Sequence, residues 1–288
     1  MKFITCNHQG KEKPGVLSAD GLRVHTLSGY DTLIDFIADY YSEGCAAALQ
    51  LLKTDGGIPL CDVTLEAPIP HPRHDIICIG LNYTAHAIES FKARGAEYKP
   101  LPHPTYFIKR VNRAVKPGGD IPSHSDFTSQ LDYEAELAVI IGKRCDHVAK
   151  EDVFGHVFGY TVMNDVSARD IQNGYGGQWA FGKSLDGFAP MGPWIVSTDE
   201  LSSPPALKIS ARVNGEARQE GNTNDFIFDI PAVVSELSRG IVLEPGDIIM
   251  TGTPSGVGMG FNPPKFLRPG DVVECEIEGI GILKNQVV

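Results

Sequence analysis

Apolar residues fall in short runs separated by turn-forming residues. Residues 76–80, 131–141, 158–163 and 248–250 are rich in Ile, Val and Leu, and together they predict a strand-dominated chain. Helical spacing appears in two places. Over 31–53, Leu33, Phe36, Ile37 and Tyr40 recur at helical intervals, with Asp31 the expected N-cap and Gly44 expected to split the run in two. Over 229–240, Asp229 precedes a first-turn Pro231 and the run ends at Gly240, the punctuation of a capped helix. Asn214-Gly215 between two strand-like runs predicts a type I′ hairpin. Pro-Gly-Asp at 245–247 and again at 269–271 predicts two turns. The polar, proline-broken residues 90–104 suit a surface loop. Pro68, Pro70 and Pro72 stiffen the junction between a small N-terminal unit, residues 1–70, and a larger one, 71–288. The expected architecture is a β-rich α+β protein.

Acidic residues interrupt the apolar runs. Glu134 and Glu136 lie two apart in the 131–141 run, so a strand puts both on one face, and Asp165 follows the 158–163 run. One reading is a solvated face. The other is a hard-oxygen site for Mg²⁺ or Mn²⁺, because buried carboxylates need a positive charge among them. The unbroken apolar stretch 137–141 fits a strand buried on both faces and favours the metal.

Bulk properties narrow the classes. The 288 residues carry a net charge of −11, 42% hydrophobic and 21% charged residues, with no Lys/Arg cluster, which argues against nucleic acid and anionic membranes as partners. No apolar run is long enough to span a bilayer, and the first residues do not read as a signal peptide. The six cysteines form no C-x-x-C pair and no dense framework, so reduced thiols and a cytoplasmic location are expected.

Five segments carry a family resemblance. They are Gly80-Leu81-Asn82-Tyr83-Thr84-Ala85-His86-Ala87-Ile88-Glu89, Asp132-Tyr133-Glu134-Ala135-Glu136, Asn164-Asp165-Val166-Ser167-Ala168-Arg169-Asp170, Gly182-Lys183-Ser184-Leu185-Asp186 and Thr251-Gly252-Thr253-Pro254-Ser255-Gly256-Val257-Gly258. In this order the chain resembles the fumarylacetoacetate hydrolase family, whose fold is a rolled, mixed β-sandwich, here behind a small N-terminal α/β domain.

The resemblance implies a site. Glu134, Glu136 and Asp165 would hold Mg²⁺ or Mn²⁺. His86 and Glu89, three apart and able to meet on one helix face, would form a water-activating dyad. Lys183 would stabilise an enolate, against the plain alternative of a surface lysine. Arg169 would approach the substrate together with Gln172, or else form an ion pair with Asp170 or Asp132. Thr253 would contact the ligand from a strand-end turn. Phe107 is expected in the core, and Tyr133 on the strand face away from the metal. The expected activity is hydrolysis of a C–C bond in a 2,4-dioxo acid. Decarboxylation of oxaloacetate or a related 2-oxo diacid, an isomerase or decarboxylase of aromatic catabolism, and a catalytically silent scaffold are the alternatives. A 2-oxo acid is the expected small-molecule partner, and the family implies a homodimer.

Overall fold

The computed structural model describes residues 1–54 and 56–288. Two sheets pack into a sandwich. The larger has eleven strands. Its middle is formed by Met191–Ser197, Val157–Asn164, Ala135–Ile141 and Ile248–Met250, antiparallel throughout. Ile76–Gly80 then pairs parallel with Ile248–Met250, and Thr105–Lys109 forms the edge beside it. The smaller sheet runs Glu216–Asn222, Lys208–Val213, Val272–Ile277, Gly281–Val287 and Asp120–Ile121. The chain is thus mixed α+β and rich in strand, as the apolar runs predict.

Ala135–Ile141 is buried at every position, and its alternate residues serve two cores. Leu137, Val139 and Ile141 join Ile209, Ala211, Val273 and Cys275 between the sheets. Ala138 and Ile140 face the other way, joining Phe3, Phe36, Ile37 and Phe158. With both faces covered the strand needs no polar side, which is why its sequence is continuously apolar.

The first seventy residues enter the larger sheet directly. Lys2–His8 pairs with Met191–Ser197 and carries Lys11–Leu17 on its other side. The helical run beyond differs in detail from its sequence signals. Its first helix, Leu33–Asp39, is capped by Thr32 rather than Asp31, because Thr32 and Asp35 close a reciprocal capping box. Gly44 does not break it. The chain continues through a π-helical turn, Tyr40–Gly44, into Cys45–Leu51, and Gly44, in ordinary helical conformation, packs tightly, since a Cβ there would lie 3.2 Å from Phe36. Ile230–Ser238 is helical with Asp229 accepting from the Ala232 amide, and Asn214 and Gly215 take φ of 52° and 79° in the hairpin. No helix among the described residues is long and apolar enough to cross a membrane.

Candidate active site

The strand 131–141 is interrupted where its acids lie. Leu131–Asp132 pairs with Ser167–Ala168 in a two-stranded ribbon, and Ala135–Ile141 resumes in the main sheet. Tyr133 and Glu134 make the transition, and Glu134 is fixed at both backbone groups: its N–H donates to Asn164 Oδ1 (3.0 Å) and its carbonyl accepts from the Asp165 amide (2.8 Å). That pairing brings Asp165 alongside the two glutamates. One carboxylate oxygen from each of Glu134, Glu136 and Asp165 lies within 4.8 Å of the others, all three buried.

Cations partly neutralise this cluster. Lys183, 2% exposed, donates through Nζ to Glu134 Oε2 (2.8 Å) and Asp165 Oδ2 (2.6 Å). Arg169 donates through Nη2 to Glu134 Oε1 (2.6 Å), through Nε to Asp132 Oδ2 (2.9 Å) and through Nη1 to Gln172 Oε1 (3.0 Å). Of the sequence alternatives for Arg169, the ion pair with Asp132 forms. Asp170 instead accepts from Thr128, Ser129 and the Ile171 amide.

Electrostatics divides the acids. Burial pushes the Glu134 carboxyl up, but the Lys183, Arg169 and His86 charges outweigh it and hold it well below the usual carboxylate range. Glu136 goes the other way: burial, then the Asp165 and Glu134 charges, push it well above. Among the described residues its carboxylate accepts one hydrogen bond, from the Gly252 amide (2.8 Å). Burial lowers Lys183, yet the Asp165 and Glu134 charges overcome this and hold it above its ordinary value. Three buried carboxylates, one of them without a cation of its own, match the donor set of a hard divalent ion.

His86 and Glu89 lie on the helix Thr84–Ala93, with His86 Nδ1 3.3 Å from Glu89 Oε2. Glu89 is held from behind by the Gly256 amide (3.0 Å). One cavity is lined by His86, Glu134, Glu136, Arg169, Gln172, Lys183 and Thr253, so eight of the nine residues singled out from sequence border it directly or, for Glu89, through His86; Asp165 lies beneath, touching Lys183. The Thr253 hydroxyl gives its one hydrogen to Ala135 O (2.8 Å) and accepts from Gln219 (2.7 Å), so it has none left for a ligand.

Two aromatic expectations part ways. Tyr133 is buried and its hydroxyl donates to Gly256 O (2.8 Å). Phe107 is only partly core: half-buried, it packs against one core cluster and also lines the cavity, its ring centroid 5.4 Å from that of Trp179, with Lys183 Nζ 5.0 Å from its centre. Thr105–Lys109 is an edge strand, so no further strand among the described residues covers its outer side.

Sequence reasoning passed over Lys109. It is fully buried, with Nζ 2.8 Å from Asp165 Oδ1 and donating to the carbonyls of Val166 (3.1 Å), Phe188 (2.8 Å) and Lys183. The signal was available: a period of two puts Lys109 on the same face as Phe107, while Ile108 is 49% exposed.

Known proteins extend the picture. The family model for the fumarylacetoacetate (FAA) hydrolase C-terminal region matches residues 75–288. Oxaloacetate tautomerase YisK of Bacillus subtilis is 51% identical over 228 residues, 79% of this chain and 74% of its own. A fumarylacetoacetate hydrolase from psychrophilic Exiguobacterium antarcticum superposes with a TM-score of 0.84 at 39% identity, covering 100% of this chain and 99% of its own. Maleylpyruvate hydrolase from Sphingobium sp. SYK-6, solved with manganese(II) and pyruvate, gives 0.75 at 31% identity, covering 100% and 99%.

Proposed function

Because the chain belongs to the fumarylacetoacetate hydrolase family, we propose that it is a metal-dependent enzyme interconverting the keto and enol forms of oxaloacetate or a similar 2-oxo dicarboxylate. Hydrolysis of a 2,4-dioxo acid, the first expectation from sequence, becomes the second reading. The order follows the relatives: the oxaloacetate tautomerase is 51% identical, the maleylpyruvate hydrolase 31%. The observation that carries the metal-dependent chemistry is the buried Glu134–Glu136–Asp165 cluster with Glu136 short of a cation, in one cavity with Lys183 and His86. Residues 71–288 are proposed as the catalytic part and 1–70 as an accessory layer.

Glu134, Glu136 and Asp165 would hold Mg²⁺ or Mn²⁺, which when bound supplies a Lewis acid polarising the 2-oxo group. The remaining steps belong to side chains. Lys183 spends two of its three N–H bonds on Glu134 and Asp165 and turns the third to the C2 oxygen as charge develops there. Glu89 orients His86 through Nδ1, leaving Nε2 to take a proton from C3. The C3–H electron pair becomes the C2=C3 bond, the carbonyl π pair moves to oxygen, and that oxygen takes a proton from water to give the enol, while His86 returns the C3 proton to solvent. Gln172, whose Oε1 is held by Arg169, offers its NH₂ to a substrate carboxylate.

Disappearance of the ultraviolet band of enol-oxaloacetate tests this directly, with Mg²⁺, Mn²⁺ or EDTA present and pyruvate measured in the same samples. Expected is metal-dependent loss of enol without matching pyruvate. His86→Ala should slow it by about 10²-fold or more, and Lys183→Met by about 10²–10³-fold. Cleavage of an acylpyruvate with no effect on the enol would overturn the proposal in favour of hydrolysis.

A further inference from the structure

The cations facing the acid cluster are already engaged. Lys183 and Arg169 each contact two carboxylates, and Lys109 is enclosed by Asp165 and three carbonyls. Arg94 differs. It follows the helix that carries His86 and lines the mouth of the same cavity. Its guanidinium donates only to uncharged partners, through Nε to Ser90 O (3.1 Å) and through Nη2 to Ser90 Oγ (3.3 Å), and it forms no ion pair with a carboxylate among the described residues. The guanidinium carbon lies 4.9 Å from the centre of the Phe91 ring, so the side chain is anchored at its Nε side and stacked, with Nη1 left over. Arg94 is exposed, and its partial burial, then the Arg169 charge, lowers its pKa. Phe107 and Trp179 line the same cavity with apolar surface.

We infer that Arg94 is a specificity-determining residue that binds the distal carboxylate of a 2-oxo dicarboxylate whose 2-oxo-acid end lies at Glu134, Glu136 and Asp165. The inference deepens the proposed function and rests on the site assigned there. An Arg fork suits a carboxylate at the rim, where a charged hydrogen bond orients the substrate without the desolvation of a deep ion pair. A monocarboxylate such as pyruvate would leave Arg94 unused. The chemistry therefore sorts substrates by their second charge.

Calorimetric binding to the Mn²⁺-loaded protein separates this from turnover, using difluoro-oxaloacetate, which has no C3 hydrogen, and pyruvate. The wild type should prefer the dicarboxylate by about 10- to 100-fold, the range of one hydrogen-bonded charge. Arg94→Gln should remove most of that preference while leaving pyruvate affinity unchanged, and Arg94→Lys should restore part of it. A wild type without the preference, or a loss in Arg94→Gln that falls equally on both ligands, overturns the inference. If the preference and its loss are observed but enol-oxaloacetate is not turned over, Arg94 keeps its role and the tautomerase reading fails alone.

Discussion

At the scale of single residues, the site is a buried ionic network in which most charges have two partners. Such a network costs much to desolvate and is held by its geometry: removing one member strands the others. Arg169 illustrates this. It bridges Asp132, which also accepts from the Gly258 (2.7 Å) and Met259 (3.0 Å) amides, to Glu134, and so ties a loop to the acid cluster. The neighbouring Asp170 shows a milder case. Burial pushes its carboxyl up, but the bonds from Thr128, Ser129 and the Ile171 amide outweigh it and hold it below the usual range. A carboxyl lowered on folding stabilises the protein above its unfolded pKa, and the gain is lost as pH falls through the folded value. Asp170→Ala should therefore be less stable than the wild type by about 1–2 kcal/mol at pH 7, as expected for lost bonds to a charged acceptor. Urea unfolding at a series of pH values should show the gap closing in acid; a gap that persists at the lowest pH would refute the electrostatic account.

Among elements, the decisive contact joins the His86 helix to the glycine-rich loop after Ile248–Met250. Gly256 has φ +103°, and a Cβ there would lie 1.8 Å from Arg218 O, so only glycine lets its amide reach Glu89. Gly260 leaves room for the Glu89 carboxylate itself: a Cβ would sit 2.1 Å from Oε1. Gly260→Ala should displace that carboxylate from His86 while the protein stays folded. The expected result is a fall in kcat on the order of 10²-fold with a smaller change in KM, because displacement of about an ångström suffices. Wild-type kcat in a folded Gly260→Ala protein would remove Glu89 from the mechanism. Local signals at elements were legible at Asp229 and at Asn214-Gly215. They misled at Asp31, where the neighbouring Thr32 closes a capping box with Asp35, and at Gly44, where the helical backbone runs on through a π turn.

At the scale of the whole molecule, the central strands are enclosed from both sides, and the N-terminal residues supply part of one enclosure. Phe3 packs against Phe158 in a tilted pair with ring centroids 5.0 Å apart, and Lys2–His8 covers the edge of Met191–Ser197. A chain beginning at residue 71 should aggregate or unfold without a cooperative transition, since it exposes an apolar face and an unpaired strand edge; a soluble, cooperatively melting fragment would show the catalytic part to be self-sufficient. Metal removal should also register globally. At a hundredfold excess over Kd a bound ion adds about 2.7 kcal/mol, so EDTA should lower Tm by about 4–5 °C, and an unchanged Tm would count against the acid cluster as a metal site.

The sequence by itself determined the strand-rich class, the Asp229 cap and the Asn214-Gly215 hairpin, the family, and the identity of the acids, since each is written in local periodicity or in contiguous motifs. It could not show that Lys109 reaches Asp165, that Thr253 spends its hydrogen on Ala135, that Phe107 is a cavity wall, or that Arg94 lines the same cavity without pairing to a carboxylate among the described residues. Those facts join residues that are distant along the chain. Their chemistry depends on which partner occupies each hydrogen-bonding direction, and that is decided only when the sheet, the ribbon at Leu131–Asp132 and the His86 helix come together.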